Sequence, residues 1–369
     1  MALTYPPGDI RGDADPAEHE VVAAADPVAD DAPIEIAFLE PVQASELSGA
    51  IWRSYGASYD ADWVYRPDEI ERRLRSRLLR SIVARDAGSP TRPVVGHLAL
   101  TLRSADAHVG ESGQAVVDPR WRGHHLFTTL KRTLADTMRG EGLAGMFSEA
   151  TAAHPYSQKA NVALGAQETG ILVGYIPTSV EYAAIDATPE HRRSVVLYYL
   201  KLNDGPDRWL YPPPHHHAIV SRIVERAGLH GRVREPPGRD DAGHPNASST
   251  RLSETVRTDH DAGFVTIEEV GPDLVETVET HLARERSRGL ACSYVDLPLE
   301  DPGTAVHGER LRGAGLRFGG VFPNARTAGD VLRLQYLHDA SPEIADIHLA
   351  SEGGRELLDY VVSDTREGS

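Results

Sequence analysis

The sequence predicts a layered α/β (α+β) chain of two tandem domains, each a mixed, largely antiparallel sheet flanked by helices. Two observations predict it. Apolar segments of strand and helix period follow one another from Ile34 to Leu202 in the order β-α-α-β-β-β-α-β-α-β-β, mixing meander with crossover helices. Later in the chain, features of that stretch return in the same order. At 369 residues the chain is long enough for two domains, because single cores rarely grow beyond roughly 250–300 residues.

Each element has its own signal. "IEIAFLEP" from Ile34 reads as a strand, and "ASELSGAIWRSYGASY" carries apolar residues at helical spacing. "RPDEIERRLRSRL" opens with proline and acids, a helix entry. Strands follow at "RSIVARDA", "PVVGHLALTLR" and "GQAVVDP", then a helix, "HLFTTLKRTLADTMRGEG", that ends on glycine. After it come strand "GMFSEATA", short helix "YSQKANVALG", and strands "TGILVGYIP" and "RSVVLYYLKL". The second half echoes this order. "GAGLRFGGVFP" (Gly313–Pro323) echoes "LGAQETGILVGYIP" (Leu164–Pro177), "LRLQYL" (Leu332–Leu337) echoes "VVLYYL" (Val195–Leu200), and "RELLDYVV" (Arg355–Val362) echoes "HAIVSRIV" (His217–Val224). The expected organisation is an acidic disordered tail over 1–33, a first domain over 34–203, a connecting helix and linker over 204–249, and a second domain over 250–369.

Composition narrows the function. The chain is 40% hydrophobic and 25% charged, as in a soluble globular protein, and no apolar run reaches the roughly 18–20 residues of a membrane span. Its start lacks the basic and apolar regions of a secretory signal, and the single cysteine, Cys292, excludes an internal disulfide framework. The cytoplasm is the expected compartment. A net charge of −17 argues against nucleic acid or an anionic membrane as partner, and mildly favours amines. Whether the chain is a monomer or a homodimer stays open.

Against that acidity, "VVDPRWRGHHLFTTLKRTL" (Val116–Leu134) concentrates three arginines and two histidines around one glycine before a helix. Amides at a helix start have no intrahelical acceptor, and the helix dipole adds positive potential, so a glycine turn there can wrap a phosphate. Arg120 and Arg122 offer guanidinium forks that suit a pyrophosphate. A solvated loop at a helix start would account for the same residues. In the second half, "VTIEEVGPDLVETVETHL" (Val265–Leu282) holds the strand and the helix without the arginines.

These residues, with the element order, resemble the GCN5-related N-acetyltransferase (GNAT) superfamily, whose motif is a strand ending in Val-x-Pro followed by Arg/Gln-x-x-Gly-x-Gly/Ala. Here the strand is "AVVDP" and the motif aligns with Arg122-Gly123-His124-His125-Leu126-Phe127. "MFSEATAAHPYSQKANVALGAQETG" resembles the second cofactor motif. The resemblance covers about Ile34 to Leu202 and makes the second half a degenerate copy. It implies an acyl-CoA cofactor, acetyl-CoA or another acyl-CoA, with its pyrophosphate on the turn's amides and its pantetheine on the backbone of Ala115, Val116 and Val117. His125 stands where the motif has glycine, with helical dihedrals expected for it, and Phe127 where it has Gly or Ala. Asn161 stands four before Gly165, where the family often has a tyrosine that protonates the thiolate; as a hydrogen-bond partner of the cofactor it is the remaining role.

The implied reaction is direct acyl transfer to an amine of a small molecule, which needs a base, a polarised thioester carbonyl and an acid for the leaving thiolate. Glu149 within "MFSEATA" is the first candidate base and Glu111, at the head of "ESGQAVV", the second; each could instead be a solvated strand-end carboxylate. Tyr156 and His154 are the candidate acids, or a core-edge ring and a helix cap. No metal is expected at His215, His216 and His217, since adjacent histidines on a helix point about 100° apart. A non-catalytic acyl-CoA sensor or interaction protein, or transfer to a protein or peptide amine or a hydroxyl, fits the same turn.

Overall fold

A computed structural model describes residues 28–29, 31–56, 59, 61–179, 190–235, 247–326, 329–338 and 343–366. Most of the expected tail, 1–27 and 30, and the middle of the expected linker, 236–246, lie outside them. The chain packs into two compact units, 1–105 with 112–134 and 106–111 with 135–369. That division passes through a strand and a helix of the first expected domain, not through segment 204–249.

The first unit holds β1 (Ile34–Phe38), α1 (Ala44–Tyr55), α2 (Pro67–Arg75), β2 (Leu79–Asp86), β3 (Val94–Thr101) and the Ser112–Val117 part of β4 (Val109–Val117). It also holds α3 (Leu126–Gly140) up to Leu134. Its strands lie in the order β1-β2-β3-β4, with β1/β2 and β2/β3 antiparallel. α2 forms as its sequence requires: proline in the first turn, Asp68 and Glu69 at the positive end, Arg72, Arg73 and Arg75 at the negative end. One face of the sheet buries Leu79, Val83, Ala99 and Val116 in a core with Leu47, Ile51 and Ile70. Gly96 lets α3 come down on the other face of β3, because a methyl there would already touch Leu130 and Leu126.

The second unit contains β5 (Gly145–Thr151), α4 (Tyr156–Ala163), β6 (Gln167–Ile176), β7 (Arg193–Lys201) and α5 (His217–Arg226). A short parallel pair, β8 (Arg208–Leu210) and β9 (Gly231–Val233), flanks α5 in sequence. There follow β10 (Arg251–Arg257), β11 (Ala262–Glu269), α6 (Leu274–Ser287), β12 (Cys292–Pro298), α7 (Pro302–Gly308), β13 (Arg317–Arg326), β14 (Gly329–Leu337) and α8 (Glu352–Arg366). Starting from the first residues of β4, the strand order is β4-β5-β7-β6-β13-β14-β12-β11-β10. β6 meets β13 antiparallel at Gly170 and Gly320, where no side chain separates the two backbones. Gln335 reinforces the junction: its amide donates to the carbonyls of Ile171 and Phe318, and its oxygen accepts from Val173.

The strand order on the two sides of that junction is the same read outward, and so is the register. β5 and β7 pair from Gly145↔Lys201 to Thr151↔Val195, and β12 and β14 pair from Cys292↔Leu337 to Pro298↔Val331, seven steps in each. The parallel pair Val109↔Gly145 to Glu111↔Phe147 recurs as Ala262↔Cys292 to Phe264↔Tyr294. β6 is irregular between Glu168 and Gly170 and between Leu172 and Ile176; β13 is irregular between Phe318 and Gly320 and between Phe322 and Arg326. Left-handed backbone recurs as well, at Gly165 (φ 85°) and Gly315 (φ 91°), and at Gly174 (φ 64°) and Asn324 (φ 55°). The residues that differ at matched positions therefore carry chemical information.

Candidate functional site

The strand ahead of the basic turn is bent by a residue in the left-handed region. Gln114 holds φ 54° within β4, and a buried histidine pins the bend: the Nδ1–H of His97 donates to the Gln114 carbonyl at 2.9 Å. Burial depresses the His97 pKa to about 4, so the ring is neutral and donates from Nδ1 alone. After the bend come Ala115, Val116 and Val117, of which only Val116 is buried. The next residue, Asp118, returns to β3 through its amide on the Val95 carbonyl.

Asp118 then starts the turn. Its carboxylate accepts from the Arg120 amide at 3.0 Å and from the Arg120 guanidinium at 3.1 and 2.9 Å. Burial alone would raise the Asp118 carboxyl, but the hydrogen bonds from Arg120 outweigh it and hold it below the ordinary value. Arg120 is thus engaged by Asp118 and does not form an open fork with Arg122. Trp121 is buried and anchors the turn, with the half-buried His124 ring 5.5 Å from it.

Arg122, Gly123 and His125 are exposed. Gly123 has φ 92° and open space where a Cβ would lie. His125 has φ 57°, which corrects the expectation of helical dihedrals. The position where the motif has glycine does take a glycine-like conformation, and a histidine, among the residues that tolerate it best, bears the strain. Leu126 is buried beneath α3, and Phe127 is half-buried with the Lys131 ammonium 5.9 Å from its ring centre. The turn therefore presents a guanidinium, a side-chain-free glycine and the first amides of a helix together to solvent.

In the second unit the two candidate bases share a face. Glu111 pairs directly with Phe147, and Glu149 lies two residues further along β5. Phe147, Glu149 and Thr151 are half-buried, while the alternating Met146, Ser148 and Ala150 are buried on the reverse face. Tyr175, at 2% exposure, sits within the reach of both carboxylates: burial lifts its pKa well above that of an ordinary tyrosine, and the charges of Glu149 and Glu111 add to it. Its hydroxyl accepts from Arg257 at 2.8 Å, and Arg257 also donates to Asp259 at 2.8 Å. Burial works against the Arg257 charge, but Tyr175, Asp259 and Glu149 more than offset it.

The remaining candidates are less favoured by their placement. Tyr156 is 74% exposed at the start of α4, with His154 5.0 Å away ring to ring. Burial lowers the His154 pKa, so it is mostly neutral near pH 7. Asn161 is buried against β5; its amide donates to the Ser157 carbonyl at 3.1 Å and its oxygen accepts from Ser148 at 3.3 Å. Its side chain thus ties α4 to β5.

Sequence reading missed four residues of this face: Tyr175, Arg257, Asp296 and Arg333. Asp296 occupies on β12 the place that Glu149 occupies on β5. Glu149 faces Leu197 across the ladder, whereas Asp296 faces Arg333. The Arg333–Asp296 pair is buried and bidentate, 2.7 and 2.8 Å, with the guanidinium 4.2 Å from the centre of the Phe322 ring. Aligning "CSYVDLP" with "GMFSEAT" would have found Asp296; Arg333 needed the register.

No protein-family profile matches the chain, and no curated protein matches it. Solved structures do. The ribosomal-protein-S5-alanine acetyltransferase of Vibrio fischeri matches at 15% identity and TM-score 0.37, over 47% of this chain and 96% of that one. The ribosomal-protein-S18-alanine N-acetyltransferase of Escherichia coli matches at 14% identity and TM-score 0.37, over 47% and 97%. About half of this chain is similar in fold to GNAT acetyltransferases. The spermidine/spermine N-acetyltransferase of Vibrio cholerae is a further match, at 16% identity and TM-score 0.36, over 47% and 95%. These likenesses are of fold, so substrate and mechanism have to come from this chain's own residues. Among the described residues no helix is long and apolar enough to cross a membrane.

Proposed function

We propose that the chain is an acyl-CoA-dependent N-acyltransferase, with acetyl-CoA as the expected donor and a small-molecule amine as acceptor. The observation that carries this is the bent strand and turn: Gln114 at φ 54°, then Gly123 and His125 at φ 92° and 57° before α3. A backbone bent this way exposes strand amides and carbonyls to an extended amide ligand and leaves Arg122, Gly123 and the helix amides for its pyrophosphate. Glu149, through water, is the base that takes the proton of the attacking amine. Tyr156 is the acid that protonates the leaving thiolate, and His154, mostly neutral near pH 7, is the second candidate. The second half is a copy that kept the sheet and gave up the chemistry. Such a reaction on a soluble amine fits the cytoplasm.

The same turn would serve a non-catalytic acyl-CoA sensor, a reading favoured by the internal use of Asn161 and the exposure of Tyr156. Release of free CoA thiol across a panel of amines, amino acids and peptides separates the two. An enzyme gives thiol release that falls at least tenfold in Glu149→Gln with CoA affinity kept; a sensor gives binding without turnover. Arg122→Ala with Gly123→Asp removes both charge and backbone approach, and acetyl-CoA affinity unchanged in calorimetry would end the cofactor reading.

A further inference from the structure

We propose that His215, His216 and Asp364 form a transition-metal site, suited to Zn²⁺, that fastens α8 to the turn ahead of α5. One ligand atom from each of the three lies within 4.8 Å of the others. His216 is 1% and Asp364 5% exposed, and His215 is half-buried. The argument that neighbouring histidines diverge holds for an α-helix, but these two sit in the 3₁₀ turn Pro214–His216, and their ring centres are 3.7 Å apart. His217, the first residue of α5, is not part of the group.

The hydrogen bonds fix which ring nitrogens are available. The Nδ1–H of His215 donates to the Glu309 carboxylate at 2.6 Å. Tyr360 donates its hydroxyl proton to the His215 carbonyl at 3.0 Å, so its oxygen accepts from the Nδ1–H of His216 at 2.7 Å. Both neutral rings then carry their lone pair on Nε2. Asp364 accepts from the Phe318 amide at 2.7 Å through Oδ2. Its other oxygen lies 3.7 Å from Arg312 Nε, longer than a hydrogen bond. Two imidazole lone pairs and a carboxylate are all acceptors, and the cation that faces them in this structure is Arg312, ion-paired with Asp364 at 3.7 Å.

Two nitrogens and one carboxylate oxygen suit a borderline ion such as zinc, with a water in the fourth position. Glu309 and Tyr360 already orient the two rings, as the outer partners of metal-bound histidines do. Arg312 is the charge that a bound metal has to push aside. α8 supplies Tyr360 and Asp364 one turn apart, so a metal here would hold the helix by its ligand and by the ligand's hydrogen-bond partner.

The full-length chain, stripped with a chelator, is titrated with Zn²⁺ against a chromophoric competitor and with Co²⁺ by visible absorption. One equivalent of Zn²⁺ is expected, bound at least 30-fold more weakly by His216→Gln and by Asp364→Asn, with His217→Gln like the unaltered chain. Zn²⁺ should raise the Tm of the unaltered chain and not that of Asp364→Asn. If the unaltered chain takes up no stoichiometric metal, or His216→Gln and Asp364→Asn bind as it does, the site does not exist. Should those variants not fold, His215→Gln and the unaltered chain's own stoichiometry decide.

Discussion

Replacing Asp296 by Asn should be among the most damaging single changes in the second unit. Arg333 is 4% exposed, and Asp296 supplies both of its hydrogen-bond acceptors. Burial opposes the guanidinium charge, and the Asp296 carboxylate more than compensates, raising the Arg333 pKa. Asparagine keeps the shape and one acceptor, so its main effect is to take from a buried cation its hydrogen-bonded counter-charge, leaving the weaker influence of Glu149. Breaking such a pair costs about 3–5 kcal/mol. At roughly 2–4 °C per kcal/mol for domains of this size, the Tm should fall on the order of 10 °C. The double variant Asp296→Leu with Arg333→Met should recover most of that, since apolar side chains of similar volume often replace a buried pair without loss. Urea and thermal denaturation of the unaltered chain, Asp296→Leu, Arg333→Met and their double variant give the coupling directly. An Asp296→Asn protein within about 1 kcal/mol of the unaltered chain would refute the reasoning.

The matched position gives a second test: Leu197→Arg places a guanidinium opposite Glu149 as Arg333 stands opposite Asp296, and thiol release should fall about 10²–10⁴-fold with acetyl-CoA affinity unchanged in calorimetry. A folded Leu197→Arg protein that keeps a third of its turnover would rule out Glu149 as base. At the turn, His125→Gly removes a left-handed penalty of about 1–2 kcal/mol at the cost of about 0.5–1 in unfolded-chain entropy, so a small net gain of stability is expected in urea. His125→Val should lose more than about 1 kcal/mol instead. Burial, with the neighbouring Asp330 charge, raises the Glu300 pKa to about 7 from 4.5. The folded chain then binds this proton more tightly than the unfolded chain, so its contribution is full below pH 4.5 and is lost as pH rises through 7, about 3 kcal/mol in all. Glu300→Gln should remove that part of the fall in Tm between pH 5 and pH 8; an unchanged pH profile would contradict it.

The elements were legible because their signals are local. Proline and acids at the start of α2, glycine after α3 and the alternation of β5 each speak within a dozen residues, and the structure has an element at every one. Position along the chain was not enough to place Glu111 on the face of Val117, because Gln114 at φ 54° bends the strand between them. The turn was legible as a composition, but its conformation was not. Nothing in "RGHH" says that Arg120 is captured by Asp118, two residues before it, or that His125 takes the left-handed conformation a glycine would. That the helix turns Asn161 onto Ser148 is not legible in its own sequence either. Tyr175, Arg257 and Arg333 come from three strands far apart in sequence. A pair such as Arg333 and Asp296 depends on the register of an antiparallel ladder, which no single strand contains.

The proposed duplication gains its force from what differs, because shape and chemistry part company at two places. Eight residues, 118–125, join Val117 to the start of α3, and four, 270–273, join Glu269 to the start of α6. None of the residues of the shorter connection is left-handed. Separately, the carboxylate of β12 stands opposite a guanidinium, Arg333, where the carboxylate of β5 stands opposite Leu197. Either change alone would disable an acyl-transfer site: without the turn there is no place for the pyrophosphate, and with Arg333 in place Asp296 is not free to take a proton. Yet both irregularities of β6 are kept in β13, and they bring Gly170 and Gly320 together and shape the sheet around the junction. A copy relieved only of function would be expected to drift in its backbone as well. In the proposed duplication the second half keeps the bulges and not the turn, the pattern expected of a copy still needed for its shape, and the face that carries Glu149, Tyr175, Arg257 and Arg333 is built from both sides of the β6–β13 junction within one unit.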